Sequence, residues 1–554
     1  MADQTDQTEA MAPSDETTVP ARTPLYSYYV LAVLMVIYAF NFLDRQIITI
    51  LAPSLKADLG LSDAQLGLLF GTAFALFYAL FGIPLAKLAD GWHRVRTISL
   101  GLGFWSGMTA VSGLATNFAQ LGSARVGVGI GEASAGPAAY SLIQDYFPKA
   151  KRATAIAIYS AGIYLGVGAS LALGGEVISY WDTTYTEATR PFGIAGWQAT
   201  FLAFGIPGLL LAVLVLTTIR EPIRGAMDGV PSPAVAPRPF AAVGRELAAM
   251  FPPFSMITVA RGRAAERRPL IVNIAMFVGL IVVAVALVGW TDAMLPPEKR
   301  AAIATFGGFE LTTNMVQWGA IAIGVYGSFS WLQSLAHRDP VANRLIGNRT
   351  FGALALVGGL ASFASYGLSP FVYVYMVNVF GVGPEEGRTL GWILASAGML
   401  GVFIGGWASD RARRLHPAGR LYMVIAALVV SAILLYFQFT TESRQLFLTL
   451  LWIVNFLQIM WLAPVAATTQ DMVLPRMRGT AAAVFFLGTN IIGLGMGPYC
   501  VGLVADVTGD LRFAMLSVLF VAPVTIGLLI YSARKLPAVE ASIIDRARAA
   551  GEDV

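Results

Sequence analysis

Fourteen apolar runs, most near the roughly 20 residues a helix needs to cross a bilayer, alternate with short polar segments along this chain. They fall at about 26–54, 63–88, 97–116, 118–142, 153–180, 195–219, 270–290, 312–335, 351–380, 386–409, 420–440, 445–467, 479–505 and 511–533. The polar segments are not alike, because Lys and Arg gather in every second one. Short basic loops stay cytoplasmic. With the N-terminus inside, His93 to Arg96, Lys149 to Arg152, Arg220 to Arg268, Arg338 to Arg349, Arg411 to Arg420 and Arg476 to Arg478 all lie on that side. Opposite loops such as Asp182 to Arg190 and Pro384 to Arg388 are poorer in basic residues. The pattern predicts an all-α membrane protein with both termini cytoplasmic.

The runs group into domains. A cytoplasmic tail (1–24) precedes a six-helix bundle (25–220), a cytoplasmic linker (221–269) and a two-helix hairpin (270–335). A second linker (336–350), a second six-helix bundle (351–535) and a tail (536–554) complete the chain. The first linker is rich in Pro and Arg, and Phe240 to Phe254 reads as a short amphipathic stretch.

Composition removes several alternatives. With 56% hydrophobic and 13% charged residues among 554 and a mean hydropathy of +0.67, the chain carries about half the charge of a soluble protein. The net charge of +4 belongs to topology signals and not to a basic patch interleaved with aromatics, so nucleic acid is not an expected partner. Cys500 is the sole cysteine, and His93, His337 and His416 each lie outside the long runs, so neither a disulfide nor a metal site is expected, nor any cofactor. The acidic start (Asp3, Asp6, Glu9, Asp15, Glu16) lacks the basic region of a cleaved signal, leaving insertion to the first helix.

The two bundles repeat each other, a signature of secondary transporters. Ala86-Lys87-Leu88-Ala89-Asp90-Gly91-Trp92-His93-Arg94 corresponds to Gly406-Trp407-Ala408-Ser409-Asp410-Arg411-Ala412-Arg413-Arg414. Asp145 to Arg152 before Ala153-Thr154-Ala155 likewise corresponds to Asp471 to Arg478 before Gly479-Thr480-Ala481. These paired loops resemble the major facilitator superfamily, whose signature is Gly-x-x-x-Asp-Arg-x-Gly-Arg-Arg. The first copy departs from it at Ala86, Gly91 and His93. Asn41-Phe42-Leu43-Asp44-Arg45, Arg125 to Ala133, and Gly196-Trp197 through Pro207-Gly208 to Arg220-Glu221-Pro222 resemble bacterial spinster-type transporters. Anion:cation symporters share the Asp-Arg pair and the Arg-to-Glu spacing. The resemblance implies a major facilitator fold of two six-helix bundles, here with an extra hairpin, in a bacterial inner membrane. It implies proton-coupled movement of a lysophospholipid or sphingoid-type amphiphile by alternating access.

Ionisable groups inside a membrane are costly and are retained mainly where they face a partner, cavity or ion pathway. Asn41, Asp44 and Arg45 stand at i, i+3 and i+4, on adjoining parts of one helical face. Arg125 and Glu132 lie two turns apart on another. Asp44 is expected to carry the proton and Glu132 to act as a second site. Arg45, Arg125 and Asn41 are their charge partners or the grip on an anionic head group. A static buried salt bridge is the alternative.

The second bundle offers Tyr366, Tyr373, Tyr375, Asn378, Asn455, Gln458, Trp461 and Asn490 on otherwise apolar walls, with Tyr140 facing them from the first. Such walls suit an acyl chain better than a sugar. At the cytoplasmic helix ends, Asp90 with Arg94 or Arg96, Asp145 with Arg152, Asp410 with Arg411 and Asp471 with Arg478 are expected to latch the halves in the outward-open state. Glycines 162, 166, 168, 174 and 175, echoed by 488, 493, 495 and 497, are expected along the rocking interface, with Pro498 as a kink. No nucleophile with a base stands out, so catalysis is not expected. The rivals are proton symport of a small organic anion such as a hexuronate, and a transporter-like receptor or scaffold without turnover. A monomer is expected.

Overall fold

The computed structural model describes residues 24–225, 227, 238–262, 267–300, 302–474 and 477–552, so most of the N-terminal tail and Arg476 lie outside the described residues. The first half holds α1 (Leu25–Leu59), α2 (Asp63–Phe70), α3 (Thr72–Gly91), α4 (Arg94–Ser112), α5 (Phe118–Glu132), α6 (Ala135–Tyr146), α7 (Lys149–Thr184) and α8 (Gly196–Thr218). The insert contributes α9 (Pro239–Met250), α10 (Phe254–Gly262), α11 (Arg268–Met294), strands β1 (Ala302–Phe306) and β2 (Phe309–Thr312), α12 (Thr313–Arg338) and α13 (Pro340–Ile346). The second half holds α14 (Arg349–Leu368), α15 (Val372–Phe380), α16 (Gly387–Leu415), α17 (Gly419–Thr440), α18 (Arg444–Ile459) and α19 (Leu462–Asp471). It ends with α20 (Arg478–Gly488), α21 (Gly497–Thr508), α22 (Leu511–Ser517), α23 (Ala522–Ala541) and α24 (Ile543–Arg548).

Each apolar run coincides with one helix or a broken pair. Eleven of these segments are long and apolar enough to cross a membrane by length and composition. The other three are α4, α5 with α6, and α12. Polarity explains their exclusion: α4 opens on Arg94 and Arg96, α5 carries Arg125 and Glu132, and α12 carries Asn314, Gln317 and Gln333.

Helix ends follow local chemistry. Gly60, at φ +62°, closes α1 in the left-handed conformation that a side chain disfavours. Ser62 then caps α2: its Oγ accepts from Gln65 N (3.2 Å) and Gln65 Oε1 accepts from Ser62 N (3.1 Å). The breaks inside runs were not foreseen. They fall at Gly71, at Ala133-Ser134, at Ser369 to Phe371 and at Met460-Trp461, while Thr489–Met496 widens into a π-helical turn. The break after Glu132 and that at Met460-Trp461 occupy equivalent helices of the two halves.

The halves meet most closely at the end away from the basic loops. There α2 lies against α21 and α7 against α16. The Pro498 carbonyl packs where a Cβ on Gly67 would sit, and Asp63 does the same at Gly502. Of the glycines expected along this interface, Gly168 and Gly175 do face α16 and the turn before it. Gly162 and Gly166 instead admit α1 of their own half, and Gly488, Gly493 and Gly497 admit α14. They tighten each bundle internally. The linker stretch expected to be amphipathic, Phe240 to Phe254, forms α9 and the turn leading into α10, and α9 packs against α3 and α12.

Candidate functional site

The site forms where α1, α3, α4 and α5 converge in the first half. Asp44, Arg45, Arg125 and Glu132 are all buried, Asp44 completely. Arg45 Nη2 donates to Glu132 Oε2 at 3.0 Å and reaches Asn41 Oδ1 at 3.4 Å. Its guanidinium is enclosed by the faces of Phe42, Phe74 and Tyr78, with ring centroids at 4.6, 4.5 and 4.8 Å. Such an aromatic cage stabilises a desolvated cation. Arg125 lies 5.6 Å from the Phe74 centroid. Close packing is possible because Gly129 lies against the Phe74 main chain and Gly131 against Trp105.

The pairing corrects the expected four-charge network. Arg45 is the partner of Glu132. Arg125 Nη1 donates to the main-chain oxygen of Asp44 at 3.0 Å and not to its carboxylate. Both Asp44 carboxyl oxygens lack a hydrogen-bond partner among the described residues, as do Arg125 Nε and Nη2 and Glu132 Oε1. Trp105 and Thr109 stand beside Asp44 and turn their donor groups toward its carboxyl, which forms no ion pair among the described residues. The site therefore holds one formed ion pair and, next to it, an unspent acid and an unspent base.

Phe74 with Tyr78, and Trp105 with Thr109, line this site, yet nothing marked them in advance. The available signal was only the i, i+4 spacing of these pairs, which other aromatic and hydroxyl residues on the same helices, such as Phe77, Phe81, Phe104 and Ser106, obscure. Tyr38 stacks on Tyr159 at 4.3 Å, and Tyr140 packs on Tyr159 edge-on at 5.4 Å, so Tyr140 joins a tyrosine wall and is 38% exposed.

The polar groups of the second half are less available than expected. Asn455 Nδ2 donates to Leu451 O and Asn490 Nδ2 to Phe486 O, each at 2.8 Å within its own helix. Gln458 accepts from Ser365 at 3.4 Å and lines an apolar cavity with Leu360, Ala364, Leu435 and Val518. Tyr366 is part-buried against the core. Tyr373 (2% exposed) and Trp461 (5%) are packing residues, not cavity wall: Tyr373 sits in the main core, and Trp461 packs on Phe485.

The expected gate pairs also change partners. Arg94 is buried and bonds Glu221 through Nε at 2.7 Å, Ser141 at 3.1 Å, and Asp145. Asp145 also accepts from Gly225 N at 3.0 Å. Arg152 donates to the carbonyls of Gln144 (3.1 Å) and Phe147 (3.0 Å). In the second half Arg420 holds Asp471 at 2.7 Å and Asp410 at 3.0 Å, while Arg413 holds Glu540 at 2.9 Å. Among the described residues Asp90, Arg96, Arg411 and Arg478 form no ion pair. These networks each lie inside one half. Arg94→Ala is accordingly expected to leave two buried or half-buried acids unpaired, costing about 3–5 kcal/mol. Thermal unfolding in detergent checks this, with spin-label distances between the halves expected to stay unchanged.

Contacts that do join the halves lie at the opposite end. Asp506 accepts from the main-chain N–H groups of Asp63 (3.1 Å) and Ala64 (2.7 Å), the exposed donors of the α2 N-terminus. Arg388 pairs with Glu176, and Ser369 Oγ donates to Gln46 at 3.2 Å.

A family model described as Major Facilitator Superfamily matches residues 34–498. An MFS-type efflux pump of Mycolicibacterium smegmatis is 25% identical over 492 residues, covering 88% of this chain and 87% of that protein. A probable L-galactonate transporter of Escherichia coli is 29% identical over 184 residues, 33% of this chain and 37% of that one. Among solved structures, a bacterial homolog to the human lysosomal transporter Spinster, captured inward-facing and unoccupied, superposes with a TM-score of 0.67 at 26% identity. That alignment covers 94% of this chain and 99% of the other.

Proposed function

Because this chain belongs to the major facilitator superfamily, whose members here are transporters and not enzymes, we propose that it is a proton-coupled carrier of an amphiphilic lipid of lysophospholipid or sphingoid type. The observation that carries the proton reading is the orphaned Asp44 carboxyl. A fully buried carboxylate without a partner is far more costly than its neutral form. In this reading Asp44 carries the proton, while Glu132, already bonded to Arg45, is the second site. Release of the proton gives Arg125 Nε and Nη2 the partner they lack.

The lipid reading rests on the walls. Aromatic rings surround Arg45, and in the second half Asn455 and Asn490 each turn one amide N–H back onto their own helix. A hydroxylated sugar needs such groups free. The likeness to a bacterial Spinster homolog supports the same class. The basic loops face the cytoplasm of a bacterial inner membrane, which makes this conformation inward-facing, with both termini inside. The chain acts as a monomer of two bundles, 25–220 and 351–535, joined by the inserted hairpin.

A second reading is favoured by one observation. Two unpartnered N–H groups on Arg125 match the fork that grips a carboxylate, and the L-galactonate transporter is similar over part of its length. Uptake of labelled lysophospholipid and of a hexuronate into proteoliposomes, each with and without a pH gradient, separates the two. Gradient-driven lysolipid flux alone is the expected result. Hexuronate flux alone replaces it with the second reading, and no flux of either favours a receptor without turnover.

A further inference from the structure

The inserted hairpin is not an appendage on the outside of one bundle. Helix α12 lies along the seam where α2 and α3 of the first half meet α20 and α21 of the second, and it bonds to both. Gln317 Oε1 accepts from Thr72 Oγ1 at 2.6 Å, and Gln317 Nε2 donates to the Gly495 carbonyl at 3.2 Å. Asn314 Oδ1 accepts from Tyr499 Oη at 2.6 Å. Just before the strands, Lys299 pairs with Asp506 at 3.2 Å, the same carboxylate that caps α2. Gln317 and Asn314 are buried, so their bonds are not shared with solvent.

These contacts fall where both seam helices are irregular. Thr72 begins α3 directly after the break at Gly71, and Gly495 lies in the π-helical turn, whose wider ring alters the regular i to i+4 pattern. The Thr72 hydroxyl lies within bonding reach of both the Gly495 carbonyl and Gln317 Oε1, so the side chain of Gln317 braces a junction where the break in one half already touches the distorted turn in the other. Around it, Leu76 and Leu80 of the first half, Ile491 of the second, Ile321 and Trp331 of α12 and Met250 of α9 form a single apolar cluster.

The insert is stiff and has a base. Asn273 of α11 donates to Ser330 (3.1 Å) and Gln333 (2.8 Å) of α12 and accepts from Tyr326 (2.7 Å). Glu246 of α9 accepts from Trp331 Nε1 at 3.0 Å and pairs with Arg338 at 2.8 Å. Helix α9 in turn packs along α3, with Phe240 5.4 Å from Trp92. The insert is thereby fastened to the first half through α9, and to the second half through Gln317, Asn314 and Lys299, through Leu295 and Trp318 packed on Tyr499 and Leu503, and through α13 in the core of that half.

We infer that the inserted hairpin is a state-selective clamp: it grips both halves and, through Asn314, Gln317 and Lys299, holds them in the conformation closed at the Asp63 and Asp506 end. Opening that end requires α2 to leave α21. The hairpin, bonded to both sides of that seam, then has to give up the bonds of Asn314, Gln317 and Lys299 that span it. A contact made in one state only shifts the balance by its own worth.

The test places spin labels at Thr116→Cys and Glu442→Cys, exposed positions of the two halves at the closed end, in a Cys500→Ser background. Double electron–electron resonance in lipid nanodiscs reads the ratio of long to short distances. Asn314→Ala and Gln317→Ala are each expected to raise that ratio about fivefold, the size of one net hydrogen bond, and the triple variant with Lys299→Ala more. Lys299→Ala alone alters a half-exposed side chain and serves where a buried change fails to fold. Asn273→Ala removes equally buried bonds inside the insert but touches neither half, so it is expected to leave the ratio unchanged. An unchanged ratio in the triple variant, or an equal rise in Asn273→Ala, overturns the clamp.

Discussion

Asp44→Asn is expected to reduce gradient-driven uptake to the level of protein-free vesicles, while substrate exchange at equal pH on both sides continues. The amide has nearly the shape of the neutral acid, and the carboxyl oxygens it replaces make no hydrogen bond among the described residues. Packing and thermal midpoint should therefore hold. What disappears is the ability to lose a proton and then pair with Arg125. Exchange needs no net proton movement, so its survival distinguishes a coupling defect from a broken binding site. Uptake in Asp44→Asn that still follows the gradient would remove Asp44 as the carrier, and loss of both activities would make it a binding residue. Counterflow and gradient-driven uptake in the same proteoliposome preparation supply both readings.

The second large effect concerns Arg45 and Glu132. Removing one member of a buried pair strands the other, at a cost of about 3–5 kcal/mol. Glu132→Ala leaves a guanidinium held only by aromatic faces and Asn41, and Arg45→Ala leaves a buried carboxylate. The double variant Arg45→Met, Glu132→Gln strands neither charge, and the unbranched thioether fits between Phe42, Phe74 and Tyr78. Its thermal stability should recover most of the loss, a non-additivity that a double-mutant cycle measures directly. Transport separates two meanings of the same pair. A static packing pair predicts a double variant that transports normally; a switch predicts one that is stable and uncoupled.

How far the sequence reached can be traced residue by residue. The apolar runs, the repeated loops and the insert were legible because hydrophobic period and charge bias are local properties. The spacing of Asn41, Asp44 and Arg45, and of Arg125 and Glu132, correctly brought these residues to one place. Which acid met which arginine was not legible, since both guanidiniums reach the same small volume and the choice depends on rings contributed by α3. The breaks at Gly71 and Ala133-Ser134 were hidden for a related reason: apolar composition runs through them unaltered, and the backbone departs from α geometry only where a neighbouring helix demands it.

The gate shows a different limit. Charged loop motifs drew attention to the basic end, but Arg94 reaches Glu221 across a large sequence separation and Asp145 within its own half. The end that is latched relies instead on main-chain N–H groups, glycine and Asp506. An N-terminal amide leaves no mark in a residue pattern. Tyr373 and Trp461 illustrate the same point for aromatics, whose polar tips say nothing about whether the ring faces a cavity or a core.

Helix α11 carries a consequence of its own. It packs on α10 and α12 and turns the rest of its apolar surface, including Ile271, Val278, Val282 and Val285, outward. Its apolar run, residues 270–290, extends about 30 Å at the usual rise, the thickness of a hydrocarbon core. A thicker or thinner bilayer is met by tilt or by local deformation of the lipid, each costing a fraction of a kcal/mol per Å. Membrane thickness thus reaches the seam through a strut that leans on α12, so lipids of different acyl length load the hairpin as well as the two bundles.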